Sequence, residues 1–253
     1  MDEIEQGRRF LKAWRWREAR ALETDQKRGI PHPPLQKPVP EGTQLVELVD
    51  PERFSFSGPS VVEAIARRRS HRSFSQEPLT LEEVSFLLWA TQGVQRIVRE
   101  GIASLRTVPS AGARHPFETY LAVLRVQGLK PGLYRYLPLD HKLVFLRAEE
   151  GLDDKISEAC LGQRFVGEAA VVWAWAAVPY RTEWRYSVFS HKVIAIDAGH
   201  VCQNLYLACE VVGAGTCGVG AYDQAKADAL FGLDGNEEFV VYLAPVGKLP
   251  QSP

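Results

Sequence analysis

Hydrophobic and polar positions change period several times along this 253-residue chain, and each change predicts an element. Ile4, Leu11, Trp14 and Leu22 recur near helical spacing in a charged stretch, which predicts helix within residues 1–30. PHPPLQKPVPEG (31–42) then breaks any period, because proline removes a backbone donor and favours extended chain. Residues 31–58 read as an extended segment lying on the main domain or leading into it, so 1–58 forms an N-terminal helix and Pro-rich arm and 59–253 the globular unit. Ser60 followed by VVEAIARRR predicts a short helix. Thr80 with Glu83 is a capping-box signature for a helix to about Thr91, closed by Gly93. TYLAVLRV (119–126) is strand-like, and LYRYLPLDHKLVFLR (133–147) predicts a hairpin turning at Pro138–His141. A helix follows over 152–161, then a buried strand over AAVVWAWAAV (169–178). VIAIDAGHVCQNLYLACEVVGAG (193–215) is apolar almost all round and predicts the central helix. EFVVYLAPVGK (238–248) is the last strand. Strands and helices mix without regular strand–helix–strand alternation, which favours an α+β fold.

Composition adds exclusions. With 45% hydrophobic and 24% charged residues and a formal net charge of −1, the chain lacks the broad basic excess of a nucleic-acid binder. The opening Met1-Asp2-Glu3-Ile4-Glu5 lacks the basic-then-apolar order of a secretory signal. Asp197, His200, Gln203 and Asn204 interrupt the longest apolar stretch, so no membrane span is expected. The expected location is cytoplasmic, with neither nucleic acid nor membrane as partner. The four cysteines form no CxxC pair; Cys202 and Cys209 read as core packing. No metal-ligand spacing stands out.

Three segments carry candidate chemistry. RRRSHRSF (67–74) packs Arg67, Arg68, Arg69, His71 and Arg72 into a nearly neutral chain. Such a run is either a solvated basic face at a helix end or an anion site, since arginine's planar fork suits phosphate oxygens and Ser70 adds a hydroxyl. TVPSAGARHPFETY (107–120) is a loop of small residues that allows close backbone approach to a flat ligand, or an ordinary turn before a strand. GAGTCGVGAYD (213–223) places four glycines between the central helix and a helix capped by Asp223. A helix C-cap explains Gly213 and Gly215, while Gly218 and Gly220 exceed that need and offer backbone amides to a ligand. It is not a GxGxxG after a strand. His200, Gln203 and Asn204 share part of one helix face and read as a buried polar cluster, with Gln203 and Asn204 also candidates to touch a cofactor.

In this order the segments resemble the nitroreductase superfamily of FMN-dependent enzymes, and within it the SagB-type (thiazole/oxazole-forming) dehydrogenases. The matching residues are RRSHRSF (68–74), PLTLEEVSFLLWATQGV (78–94), PSAGARHPFETYLAV (109–123), GLYRY (132–136), DAGHVCQNLYLACEVVGAGTCGVGAYD (197–223) and EEFVVYLAPVGK (237–248). The resemblance implies a mainly antiparallel sheet flanked by helices and an intertwined homodimer with FMN at its interface. It implies that Arg68, Arg69 and Ser70 contact the phosphate and ribityl chain and that Arg72 lies near the flavin N1–O2 edge. Pro109, Ser110, Ala111 and Gly112 would come from the other subunit. Gly218, Val219 and Gly220 would line the ring with a backbone N–H near N5, and Lys248 is a further phosphate candidate. NADH or NADPH is the implied electron donor to the FMN.

The resemblance also implies the candidate reactions. One is transfer of a hydride or two electrons between NAD(P)H and a small-molecule acceptor; the other, in the SagB-type branch, is oxidation of an azoline in a modified peptide to an azole. That branch carries a Lys-Tyr pair before the central helix. Arg185-Tyr186 stands in that place here, leaving Tyr186 as the candidate catalytic group, because arginine stays protonated. A non-catalytic flavin-binding partner in a larger assembly is the reading from another class. Regions 90–107 and 180–192 are expected to shape the acceptor pocket.

Overall fold

The computed structural model describes residues 2–250; Met1 and the last three residues of the 59–253 unit lie outside the described residues. Strands are Leu45–Glu47 (β1), Val94–Val98 (β2), Ala103–Arg106 (β3), Phe117–Val123 (β4), Gly132–Leu137 (β5), Lys142–Arg147 (β6), Val171–Ala177 (β7), Ala214–Thr216 (β8) and Phe239–Lys248 (β9). Helices are Glu3–Leu11 (α1), Val61–Arg67 (α2), Leu81–Gln92 (α3), Leu152–Ala159 (α4), Arg164–Gly167 (α5), Tyr180–Tyr186 (α6), Ser190–Val211 (α7) and Gln224–Phe231 (α8). Seven strands form one sheet in the order β1-β6-β5-β4-β7-β9-β8, every neighbouring pair antiparallel, and β2 and β3 make a separate hairpin.

The β7 run VVWAWAA sits inside the sheet, fully buried on both faces. Its period of two sends Trp173 and Trp175 into the core beneath α3 and α7, and Val172, Ala174 and Ala176 into the core beneath α4 and α8. Large residues on one face and small ones on the other set the two layer thicknesses. The capping boxes at Ser60 and Thr80 are both formed, which fixes where α2 and α3 begin.

Several expectations change. The helix expected within residues 1–30 stops at Leu11, and a 3₁₀ turn follows over Trp14–Arg20. α1 buries none of its residues, and so short a helix gains little without tertiary packing. The arm is not wholly irregular: β1 pairs along β6 as an edge strand. Periodicity missed the β2–β3 hairpin, and the glycine-rich 213–223 segment opens with β8, three residues long.

Arginines hold the proline arm. Prolines leave carbonyls without a competing amide, and those carbonyls accept from buried guanidinium groups. Arg181 Nε donates to Pro34 O at 3.1 Å, Arg106 Nη2 to Leu35 O at 3.1 Å, and Arg135 to Lys37 O and Pro38 O at 3.2 and 2.9 Å. Glu118, 2% exposed, pairs with Arg181 and Arg135 and accepts from Lys37 N.

His115 lies beside these arginines. Burial first, then Arg106, pushes its imidazole down from 6.5 to about 2. The unfolded chain takes up this proton below about pH 6.5, whereas the folded chain resists it. Stability is therefore retained above that pH and lost as pH falls toward the folded value, by up to ~1.4 kcal/mol per pH unit from this group. His115→Gln should flatten the fall of the urea midpoint between roughly pH 6.5 and 4.5 relative to wild type; parallel pH curves would contradict this.

Candidate functional site

Helix α7 carries two polar anchors in an apolar helix, and each fixes one candidate loop. Asp197 is 3% exposed, and its Oδ2 accepts from Ser110 Oγ at 2.6 Å while the carboxylate takes Ala111 N at 3.3 Å. Ser110 Oγ in turn accepts from His115 N at 2.9 Å. Burial raises the Asp197 pKa, and the Ser110 and Ala111 bonds and His200 oppose it. The loop from Pro109 to Gly112 is thus fastened to α7. Gly112 has φ +61°, and a Cβ there would lie 2.6 Å from Tyr186 Oη and 2.7 Å from Arg185 Nε. Only glycine permits both the left-handed backbone and that approach. Ser187, directly after Tyr186, holds φ +47° and ψ −129°, a strained conformation that sets how the tyrosine leaves α6.

The second anchor is Tyr206. Its hydroxyl accepts from Gly218 N at 2.7 Å and lies 3.0 Å from Ser70 Oγ, and the Arg68 guanidinium sits 5.3 Å over its ring. The 68–74 segment runs beside β8: His71 N donates to Thr216 O at 2.9 Å, and Ser70 forms a parallel bridge with Thr216. Val219 bridges Leu243 in both directions, its N–H donating at 2.8 Å. Of the three candidate loop amides, Gly218 and Val219 are spent inside the protein. No hydrogen bond among the described residues uses Gly220 N–H, and no atom lies within 4 Å of a Cβ placed there. Gly220 borders a cavity of about 480 Å³ lined also by Phe10, Ala198, Gly199, Phe239 and Tyr242.

Asp197 and Tyr206 stand nine residues apart on α7, which is two and a half turns, so they face opposite sides of the helix about 13 Å apart along its axis. One chain therefore joins Arg68 and Ser70 to Gly218, and joins Ser110 to Gly112 separately. Arg69 turns back onto the C-terminal carbonyls of α2, reaching Ala66 O at 3.1 Å and Arg68 O at 2.9 Å. Arg72 is exposed, 5.9 Å from the Phe165 ring centroid. Lys248 points inward to Glu83 and to Val212 O at 2.8 Å. Asn204 Nδ2 donates to Ala90 O at 2.9 Å, a packing role, and Gln203 is exposed. Burial pushes the Cys202 thiol up to about 12, so it is no thiolate nucleophile.

The sequence reading missed Tyr206 as a site residue and used Asp197 only against a membrane span. A hydroxyl and a carboxylate on the buried faces of an apolar helix must each find partners, and that was the available signal.

A helix-flanked antiparallel sheet, with an unused glycine-loop amide beside an apolar cavity, defines the class of this protein as α+β. The nitroreductase family model matches residues 65–248, and the chain belongs to that family and is an oxidoreductase. A protein of Methanocaldococcus jannaschii, provisionally named a nitroreductase, is 33% identical over 206 residues, 81% of this chain and 97% of that one. The trifolitoxin-processing protein of Rhizobium leguminosarum bv. trifolii is 29% identical over 122 residues, covering 43% of this chain and 30% of that protein. Among solved structures, a provisionally named nitroreductase of Ralstonia eutropha superposes with TM-score 0.67 at 28% identity, over 88% of this chain and all of that one. One from Anabaena variabilis gives 0.68 at 25% identity, over 83% of this chain and 42% of that one. The fold is also shared with the E. coli microcin synthetase complex (TM-score 0.63, 16% identity, 99% and 98% covered). It is shared too with the NADPH:FMN oxidoreductase of Vibrio harveyi complexed with NAD+ (0.54, 18%, 76% and 70%). Among the described residues no helix is long and apolar enough to cross a membrane.

Asp197→Ala should release the 109–112 loop, costing about 1–3 kcal/mol, and speed limited proteolysis at residues 109–115. A wild-type melting curve and cleavage pattern would contradict the anchor.

Proposed function

We propose that this oxidoreductase uses FMN, bound between two copies of the chain, to pass a hydride or two electrons from NADH or NADPH to a small-molecule acceptor. The observation that supports it most is the Tyr206 cluster, which aligns Arg68, Ser70 and the glycine loop along one edge that opens, at Gly220, into an apolar cavity of about 480 Å³. The residues fit the group. Exposed guanidinium groups suit a phosphate, an apolar cavity suits a planar ring, and open space beside a free amide suits a ring-edge acceptor.

In this reading Arg68, Arg69 and Ser70 hold the phosphate and ribityl end. Arg72 supplies positive charge at the ring edge, which favours an electron-rich ring. Gly220 N–H is the loop donor, because Gly218 and Val219 amides are already used. Residues 109–112 come from the second copy, which answers their placement on the opposite side of α7. Val61, Val62 and Ile65 on α2 are exposed by 71, 78 and 59%, an apolar surface suited to self-association. Residues 59–253 carry the flavin, and the 1–58 arm is accessory. Lys248, already bound to Glu83 and Val212, adds charge near the phosphate end at most through its third proton. Bound FMN supplies two-electron chemistry, and the chain's residues bind it, orient it and exclude water.

A second reading, oxidation of an azoline in a modified peptide, draws on similarity to the trifolitoxin-processing protein and on the microcin synthetase fold. Arg185 before Tyr186 weighs against it, since guanidinium accepts no proton. Tyr186→Phe would then keep flavin and lose azoline turnover.

Titration of the purified protein with FMN should give stoichiometric flavin that bleaches under anaerobic NADH or NADPH. Arg72→Ala should weaken FMN binding by about 1–3 kcal/mol and lower the flavin potential. A protein that binds no FMN overturns the proposal. Flavin that binds but never bleaches favours a non-catalytic partner.

A further inference from the structure

The N-terminal segment ends in a surface that the flavin reading leaves without a task. Trp16 stacks on Phe189 with ring centroids 5.2 Å apart at 28°, and meets Tyr186 edge-on at 6.0 Å. The segment that carries it is fastened across α6 at many points. Gln26 N donates to Trp184 O at 2.9 Å, Trp184 Nε1 to Ile30 O at 2.8 Å, Tyr180 Oη to Asp25 at 2.8 Å, and Arg185 Nη1 to Gln26 Oε1 at 3.2 Å. Trp16 nevertheless stays 37% exposed, and Val188, next to Phe189 in the chain, 53%. A large indole held in place by its neighbours yet open to solvent is a stacking surface with its ordering entropy already lost.

This surface is continuous with the 109–112 loop. Tyr186 Oη and Arg185 Nε both close on Gly112. Arg185 Nε is buried without a hydrogen-bond partner, and none of the hydrogen bonds described uses Tyr186 Oη. An aromatic wall with a phenol at its base, backed by a guanidinium whose Nε is buried against Gly112, has the chemistry to take a planar ring bearing a carbonyl, nitro or carboxylate oxygen.

We propose that Trp16, from outside the flavin-carrying unit, is a specificity-determining residue. With Tyr186 and Phe189 it forms the outer wall of the acceptor site, and it selects planar aromatic or heteroaromatic acceptors whose oxygen meets the Tyr186 hydroxyl. This rests on the reading that residues 109–112 face the flavin of the second copy. Under that reading the N-terminal extension of one protomer screens acceptors for the cofactor of the other. The strained Ser187 backbone keeps the Tyr186 ring under Trp16.

The test is a titration of the oxidised FMN-loaded protein with menadione, read from the change in flavin absorbance without nicotinamide. Ferricyanide reduction, run separately with NADH or NADPH as the electron donor, serves as a control that needs no stacking. Trp16→Ala should raise the menadione dissociation constant on the order of tenfold, equal to ~1.4 kcal/mol, with FMN content and ferricyanide turnover unchanged. Trp16→Phe should recover most of the affinity. An unchanged dissociation constant in Trp16→Ala overturns the inference. So does wild-type protein whose bound flavin does not respond to menadione. So does a loss that Trp16→Phe leaves unrepaired and that a lowered melting temperature accompanies, since that marks a purely structural role. Wild-type protein that binds no FMN fails at the earlier step and removes the flavin reading along with this one.

Discussion

The hydrogen bond from Gly218 N to Tyr206 Oη, with Ser70 Oγ on the same hydroxyl, is the interaction on which the candidate site depends. It ties three distant stretches of chain: the end of α2, the middle of α7 and the loop after β8. Without it, the arginine segment would be held to the sheet edge only at its far end, by the bridge to Thr216 and by Ser75 N donating to Lys248 O at 2.8 Å. The hydroxyl also consumes the Gly218 amide, and Leu243 consumes that of Val219, so the free donor falls at Gly220, where the chain leaves the sheet and the cavity begins. Asp197 does the corresponding work on the other face of α7. Two of the polar residues on this largely apolar helix, Asp197 and Tyr206, thus position the two candidate loops.

Much of this was legible from residue patterns. Capping boxes at Ser60 and Thr80, the buried β7 run and the turn at Pro138–His141 each state their structure through local chemistry. The three chemical segments were visible as charge density or glycine excess. What the sequence did not reveal was partnership. Nothing in the spacing distinguishes Arg69, which caps its own helix, from Arg68, which lies over Tyr206. Nor does it say that Lys248 spends its ammonium on Glu83. Such pairings join residues far apart in the chain. The β2–β3 hairpin and β1 escaped for a related reason: short, half-exposed strands show little alternation, and their neighbours define them.

The proline arm shows how the fold tolerates buried charge. Arg106 and Arg114 are pushed down to about 10 by burial, yet each donates to backbone carbonyls. Arg106, with Arg135 and Arg181, meets those of the arm. A segment whose own amides are missing at five prolines from 31 to 40 offers carbonyls with no sheet or helix to enter. Guanidinium groups and arm satisfy each other, and the arm's path brings Trp16 and Gln26 onto α6, beside the 109–112 loop. A structural clamp at one end of the sheet thereby places an aromatic surface near a loop assigned to cofactor contact.

In the proposed function the two faces of α7 serve two different flavins, so each site is completed by a second copy. Mixing two variants refolded together tests it: Arg68→Ala, which damages the Tyr206 side, and Asp197→Ala, which damages the loop side. Each alone should bind FMN poorly. In a random mixture about half the dimers are mixed and each carries one intact site, so flavin binding should return to roughly a quarter of the wild-type capacity. A mixture that binds no more FMN than the separate variants would show that both loops serve one flavin within one chain, and would contradict the account.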